Sequence, residues 1–107
     1  MTLDDLKNAL LEITPDVYHY WAQPKSDRYI IWAEDGQADA VWADNRMSQQ
    51  ALTGTIDLYT KEEYDPMFQQ VQEKLNSLDL SWRLNSIQYE EDTGYIHYEW
   101  VWEMWHE

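Results

Sequence analysis

Hydrophobic positions at the start of the chain recur at helical spacing: Leu3, Leu6, Leu10, Leu11 and Ile13. Thr2 is placed to cap that helix, and Asp4 and Asp5 fall where its dipole favours anions. Thr14-Pro15 stops it, because the residue before a proline avoids the α region. A helix is therefore expected over about residues 2–13. The pattern then changes. Residues 17–22 and 28–33 are aromatic and β-prone and flank the turn-rich segment 23–27, which predicts a hairpin. Leu52, Gly54, Ile56 and Leu58 alternate with Thr53, Thr55, Asp57 and Tyr59, the period of a half-buried strand. Asp65-Pro66 fits a helix start, and Met67 or Phe68, Val71, Leu75 and Leu78 then share one face, so a second helix is expected over about residues 65–77. Thr60 and Glu63 also match a capping box that would start it earlier.

Towards the end, Trp82 and Leu84 point opposite to Ile87 and Tyr89, which a bulge near Asn85-Ser86 would reconcile. Residues 90–94 read as a hairpin turn, with Gly94 suited to positive φ. The final strand alternates most strongly. Ile96, Tyr98, Trp100, Trp102 and Met104 share one face; His97, Glu99, Val101, Glu103 and Trp105 share the other. The order α-β-β-β-α-β-β over a single domain, residues 1–107, predicts an α+β fold. We expect an antiparallel sheet of about five strands with two helices packed on one face. Tryptophan on both faces of the last strand implies that the second face is also covered. Residues 34–50 are polar and read as one long connection, of the kind that is commonly functional.

Composition narrows the function. With 21 acidic and 7 basic residues the net charge is −14, which argues against duplex binding and against an anionic membrane surface. There is no cysteine, so disulfides and thiolate metal sites are excluded. The acidic start does not resemble a signal peptide, and no apolar run approaches the ~20 residues of a membrane span. A cytoplasm-like compartment, or a particle assembled there, is expected. The 7 Trp and 8 Tyr against a single Phe favour side chains with an apolar body and a polar tip, suited to cores and to surfaces buried on binding.

Candidate chemistry is sparse. His97 and Glu99 share a strand face and could bind a metal or exchange protons, but the sequence ties no second carboxylate or histidine to them, so a polar sheet face is expected. Glu34, Asp35, Asp39 and Asp44 could chelate a hard cation, yet their spacing is not that of a calcium loop. Phosphate loops, nucleophile elbows and zinc spacings are missing from the sequence. No catalytic residue, cofactor or metal is expected. Trp42 lies in the polar loop and Trp105 near the end, where an interface role competes with local packing. With Trp102 and the loop charges Glu34, Asp35, Asp44 and Arg46, they form the set of candidate protein-interaction residues.

Tyr29-Ile-Ile-Trp-Ala-Glu34, then Ala43-Asp44-Asn45, then Gly54-Thr-Ile-Asp-Leu-Tyr-Thr-Lys61 followed by a helix, resembles the tail-completion (tail-terminator) proteins of long-tailed phages and prophages. The element order resembles that family over nearly the whole chain. The resemblance implies a ring, commonly hexameric, at the head-proximal end of the tail tube, contacting the tube, the head connector and further copies of itself. It implies residence in the virion tail after assembly in the host cytoplasm, and a 34–50 loop facing the channel or the tube, where acidic side chains would let DNA slide. It does not imply sequence-specific nucleic-acid contacts. The main alternative is an acidic DNA mimic that occupies the basic groove of a DNA-handling enzyme, although the acids here are scattered rather than in rows. A small enzyme built on His97 or His19, and a ligand-binding module using the Trp-rich sheet, are the remaining classes.

Overall fold

In the computed structural model, which describes residues 1–23, 26–38 and 50–105 together with the backbone at 42–43, 46–47 and 106, helix α1 (Leu3–Leu11) opens on a complete capping box. Thr2 Oγ1 accepts from the Asp5 N–H at 3.1 Å, and Asp5 Oδ2 accepts from the Thr2 N–H at 2.8 Å. The helix buries Leu6, Ala9 and Leu10. Helix α2 (Met67–Asn76) buries Met67, Val71 and Leu75. Asp65 does its capping, with Oδ1 accepting from the Met67 N–H at 2.9 Å. The alternative box from Thr60 to Glu63 does not form. Thr60 ends a strand, and its hydroxyl donates to Asp65 Oδ2 at 2.7 Å while accepting from the Glu62 N–H. Lys74 on α2 reaches Glu12, just past α1, at 2.7 Å.

The strands are β1 (Val17–His19), β2 (Arg28–Gln37), β3 (Trp42–Ala43), β4 (Arg46–Met47), β5 (Gln50–Thr60), β6 (Ser81–Glu90) and β7 (Tyr95–His106). The main sheet has five strands in the order β1-β2-β5-β7-β6, and β3 and β4 form a separate small ribbon. The fold is α+β with both helices contributing to one core, but the sheet is mixed. β1 runs parallel to β2, pairing Val17 with Ile30 and His19 with Trp32. The expected hairpin is therefore incorrect. Tyr20 adopts φ 73°, a left-handed conformation that ends the strand three residues after it begins. Parallel neighbours ordinarily need a crossover of a dozen residues or more. Here a three-residue strand leaves the chain only about 10 Å to retrace before β2.

Two other expectations change. Residues 34–37 continue β2 past a bulge between Glu34 and Gly36, and β5 begins at Gln50, so the long connection is shorter than 34–50 and contains the β3–β4 ribbon. The bulge predicted in β6 is present, between Leu84 and Ser86.

One face of the sheet carries Ile30, Trp32, Ile56, Leu58, Tyr98, Trp100, Trp102 and Met104, and these pack against Leu6, Leu10, Met67, Val71 and Leu75 of the helices. The indoles are satisfied as well as buried: Trp100 Nε1 donates to Gln72 of α2 at 3.2 Å, and Trp102 Nε1 to the Thr55 carbonyl at 3.1 Å. Among the described residues no buried side-chain nitrogen or oxygen lacks a partner. Trp102 lies flat over β5 at Gly54. A Cβ there would come within 2.1 Å of the Ala33 carbonyl oxygen and 2.3 Å of Trp102 Cζ2. No described helix is long and apolar enough to cross a membrane.

Gly54→Ala should destabilise the chain by about 3 kcal/mol or more, since neither the backbone oxygen nor the indole can withdraw cheaply; urea unfolding followed by tryptophan fluorescence measures it. Burial alone would push the Asp65 carboxyl up, but the Met67 N–H, the Thr60 hydroxyl and the Arg28 guanidinium outweigh burial and hold it below the usual range. A depressed carboxyl contributes stability that is present above its unfolded pKa, near 3.9, and is lost as pH falls through the folded one. Stability should therefore drop below about pH 4, and Asp65→Asn should flatten that part of the profile at a cost of about 2 kcal/mol at pH 7.

Candidate functional site: the open face of the sheet

The face opposite the helices is built by the other half of each alternating strand. Register fixes its rows: Tyr29, Tyr59, His97 and Gln88 form one, and Ile31, Asp57, Glu99 and Ser86 the next. The tyrosine row is an aromatic stack. Tyr29 and Tyr59 lie face to face at 4.9 Å, Tyr59 and His97 at 4.2 Å, and Tyr95 meets both tyrosines edge-on. Tyr95 is anchored by its hydroxyl, which donates to the Ser26 carbonyl at 2.9 Å, and Lys61 Nζ sits 5.0 Å from its ring centre. Burial, reinforced by neighbouring negative charge, pushes the phenols of Tyr29 and Tyr59 up to about 12.

His97 links this stack to a polar cluster. Its Nε2 is 2.6 Å from Asp57 Oδ1, and its Nδ1 is 3.7 Å from Glu90 Oε2. Both side chains of the short contact are mostly shielded, with 15% of His97 and 13% of Asp57 exposed. Glu99 stands opposite Asp57 across β5 and β7, and its Oε1 accepts from Asn85 Nδ2 at 2.6 Å. Arg83 donates to Asn85 Oδ1 at 3.0 Å. The Asp57 hydrogen bond raises the His97 pKa; burial opposes this, and the Asp57, Glu90 and Glu99 charges add to the rise. The cluster can hold a proton or a cation between an imidazole and two carboxylates.

A second imidazole–carboxylate pair lies at the β1 edge. His19 is stacked between Tyr20 and Trp32, at 4.2 and 4.0 Å, and its Nε2 is 2.6 Å from Glu34 Oε1. Burial would raise the Glu34 carboxyl, but hydrogen bonds led by the Tyr20 hydroxyl bring it below its ordinary value.

The sequence-derived interaction residues do not converge. Glu34 is engaged with His19 and Tyr20. Asp35 lies at the β2 bulge, accepts from Thr53 Oγ1 at 3.1 Å, and lines a groove of about 450 Å³ with Thr53, Gly54, Arg83 and Glu103. Trp102 is 2% exposed, so within this chain it is a core residue rather than a surface one. Trp105 is exposed at the far end of β7. Trp42 and Arg46 stand on the β3–β4 ribbon as backbone positions, and Asp44 lies outside the described residues, as does Asp39 of the loop run.

The residues that do converge include Asp57 and Asn85, which sequence reasoning placed only in strand patterns, and Glu90, which it placed in a solvated turn. Strand parity placed Asp57 away from the core, but the pairing of residues forty apart is written in packing, not in spacing. His97 and Glu99 therefore gain the further ligand-type side chain that the sequence could not tie to them. In Asp57→Asn the His97 pKa should fall back towards the ordinary 6.5, as read by proton NMR of the imidazole. Because the folded-state pKa is raised, the pair's contribution to stability is fully present below the unfolded pKa and fades as pH rises through the folded value; the wild type should exceed the variant most on the acid side. No protein-family model matches this chain, and no curated protein matches it significantly.

Proposed function

We propose that the chain is a structural subunit of the tail-completion class, resident in the tail of a long-tailed phage or prophage. It joins copies of itself into a ring at the head-proximal end of the tail tube and meets tube and connector through protein contacts, without catalysis. The resemblance that suggests this rests on three segments, 29–34, 43–45 and 54–61, of which Asp44 and Asn45 lie outside the described residues. The first and third lie on β2 and along β5 to its end at Thr60, paired from Tyr29 with Tyr59 to Glu34 with Gly54, so these two segments are neighbours in one ribbon.

The observation that carries the proposal is the outer edge of β6. Among the described residues this ten-residue strand has no neighbour on its far side in the sheet, and it exposes Ile87 (53%) and Tyr89 (65%). It contains neither Pro nor Lys, the residues that commonly blunt such an edge; Arg83, Glu90 at its end and the bulge before Ser86 are what it has. A ring needs one surface that meets a different surface of the next copy. The β6 edge with its exposed Ile87 and Tyr89 supplies the first, and the half-buried aromatic and acidic open face supplies the second. The charge of −14 keeps free copies apart, so assembly depends on specific contacts.

Sedimentation of the purified chain should show concentration-dependent assembly into a closed ring, and electron microscopy should find that ring capping tail tubes. Ile87→Asp, at a half-exposed position, should leave the fold intact and weaken association at least about tenfold, or 1.4 kcal/mol. A chain that stays single at high concentration and ignores tail tubes sinks the proposal. Stoichiometric capture by a basic DNA-handling enzyme would replace it with mimicry.

A further inference from the structure

Asp57 and Glu99 stand directly opposite each other on β5 and β7, an arrangement in which like charges repel. Glu90 brings a third carboxylate to the other nitrogen of the same imidazole. With His97 charged, three carboxylates and one cation still leave −2 (−3 + 1) at this spot. Arg83 is one side chain removed, donating to Asn85. A ligand atom from each of Asp57, His97 and Glu99 lies within 4.8 Å of the other two.

The geometry points to a divalent transition-metal site formed by Asp57, His97 and Glu99, with zinc the ion that best fits the donors. One imidazole nitrogen and two carboxylate oxygens suit a borderline ion rather than a purely hard one. Bonds of about 2.0–2.2 Å set neighbouring ligand atoms somewhat over 3 Å apart. Asp57 Oδ1 then moves back slightly from its 2.6 Å contact with Nε2, and the Glu99 carboxylate swings inward. The ion takes the place of the proton shared by His97 Nε2 and Asp57, and that proton leaves to solvent.

The surroundings match what a metal-bound histidine requires. Ligating imidazoles donate their second N–H to a carboxylate, and Glu90 Oε2 stands 3.7 Å from Nδ1, a short closure from that hydrogen bond. Asn85 holds one oxygen of Glu99. Three protein ligands leave a position for water. The site joins the sheet's central strand, β5, to its neighbour β7 on the face the helices do not cover. It lies on the face assigned above to the ring contact but does not rest on that reading, since metal binding is measured on the free chain. The His19–Glu34 pair, wedged between two aromatic rings with a single carboxylate at Nε2, is a natural control.

The full chain, stripped with chelator, is titrated with Zn²⁺ by calorimetry and with Co²⁺ by visible absorption. One ion per chain is expected, with the intense visible band of four-coordinate Co²⁺ that excess Mg²⁺ does not remove. His97→Ala should abolish the band, and Glu99→Gln should weaken Zn²⁺ binding at least about tenfold. His19→Ala should change neither. Circular dichroism checks folding, and Asp57→Asn replaces His97→Ala if the latter does not fold. Several weak ions per chain, displacement by Mg²⁺, or undiminished binding in the ligand variants would mean that ions only gather on an acidic surface, and would overturn the site.

Discussion

The contact on which the rest of the structure depends is that between Trp102 and the backbone of β5 at Gly54. An indole can lie flat on a neighbouring strand only where that strand has no side chain, and here even a methyl group would meet both the ring and the Ala33 carbonyl. The contact therefore sets which residue of β7 faces which residue of β5. Slipping by one would turn every core side chain to the opposite face. The same register that brings Trp100 beside Ile56 on the covered face brings Glu99 beside Asp57 and His97 beside Tyr59 on the open one. Apolar packing on one side thus composes the polar cluster on the other, without any direct contact between them.

The local elements of this chain are plain in its sequence because their causes are local. The capping box of α1, the alternation of β7 and the parity break at Asn85 each depend on residues within a few positions of one another. The direction of β1 is not local in that sense. It follows from a tyrosine in a left-handed conformation, a state to which tyrosine has no intrinsic preference. Trp102 shows a different difficulty. Its parity marked it as a sheet-face residue, but whether that face meets a helix or another protein depends on where α2 docks. The open-face cluster draws on β5, β6 and β7, and nothing in the spacing of Asp57, Asn85 and His97 announces that they meet.

Charge and shape divide the labour between the two faces. The covered face is almost wholly apolar, its few polar atoms matched one to one by Gln72, the Thr55 carbonyl and the Asp65 network. The open face is amphipathic, with tyrosine rings stacked in a row beside carboxylates that are only partly solvated. Such a face is tolerable in water, since its rings shield one another and its acids keep some hydration. It also has much to gain from a covering surface of matching polarity. The aromatic surplus noted in the composition is thus split, with Trp32, Trp100 and Trp102 in the core and the stacked Tyr29 and Tyr59 on the open face.

The strand order has a temporal side. β7 is the last strand of the sequence to be synthesised, yet it lies between β5 and β6, and it carries Trp100, Trp102 and Met104. While the chain is still emerging from the ribosome, β5 and β6 have no partner between them, and the helices have only a partial surface to dock on. Domains can fold as they are made when their cores are complete early; this one cannot be. Until residues 95–106 arrive, the core face lacks Trp100, Trp102 and Met104, and β6 lacks the strand it pairs with.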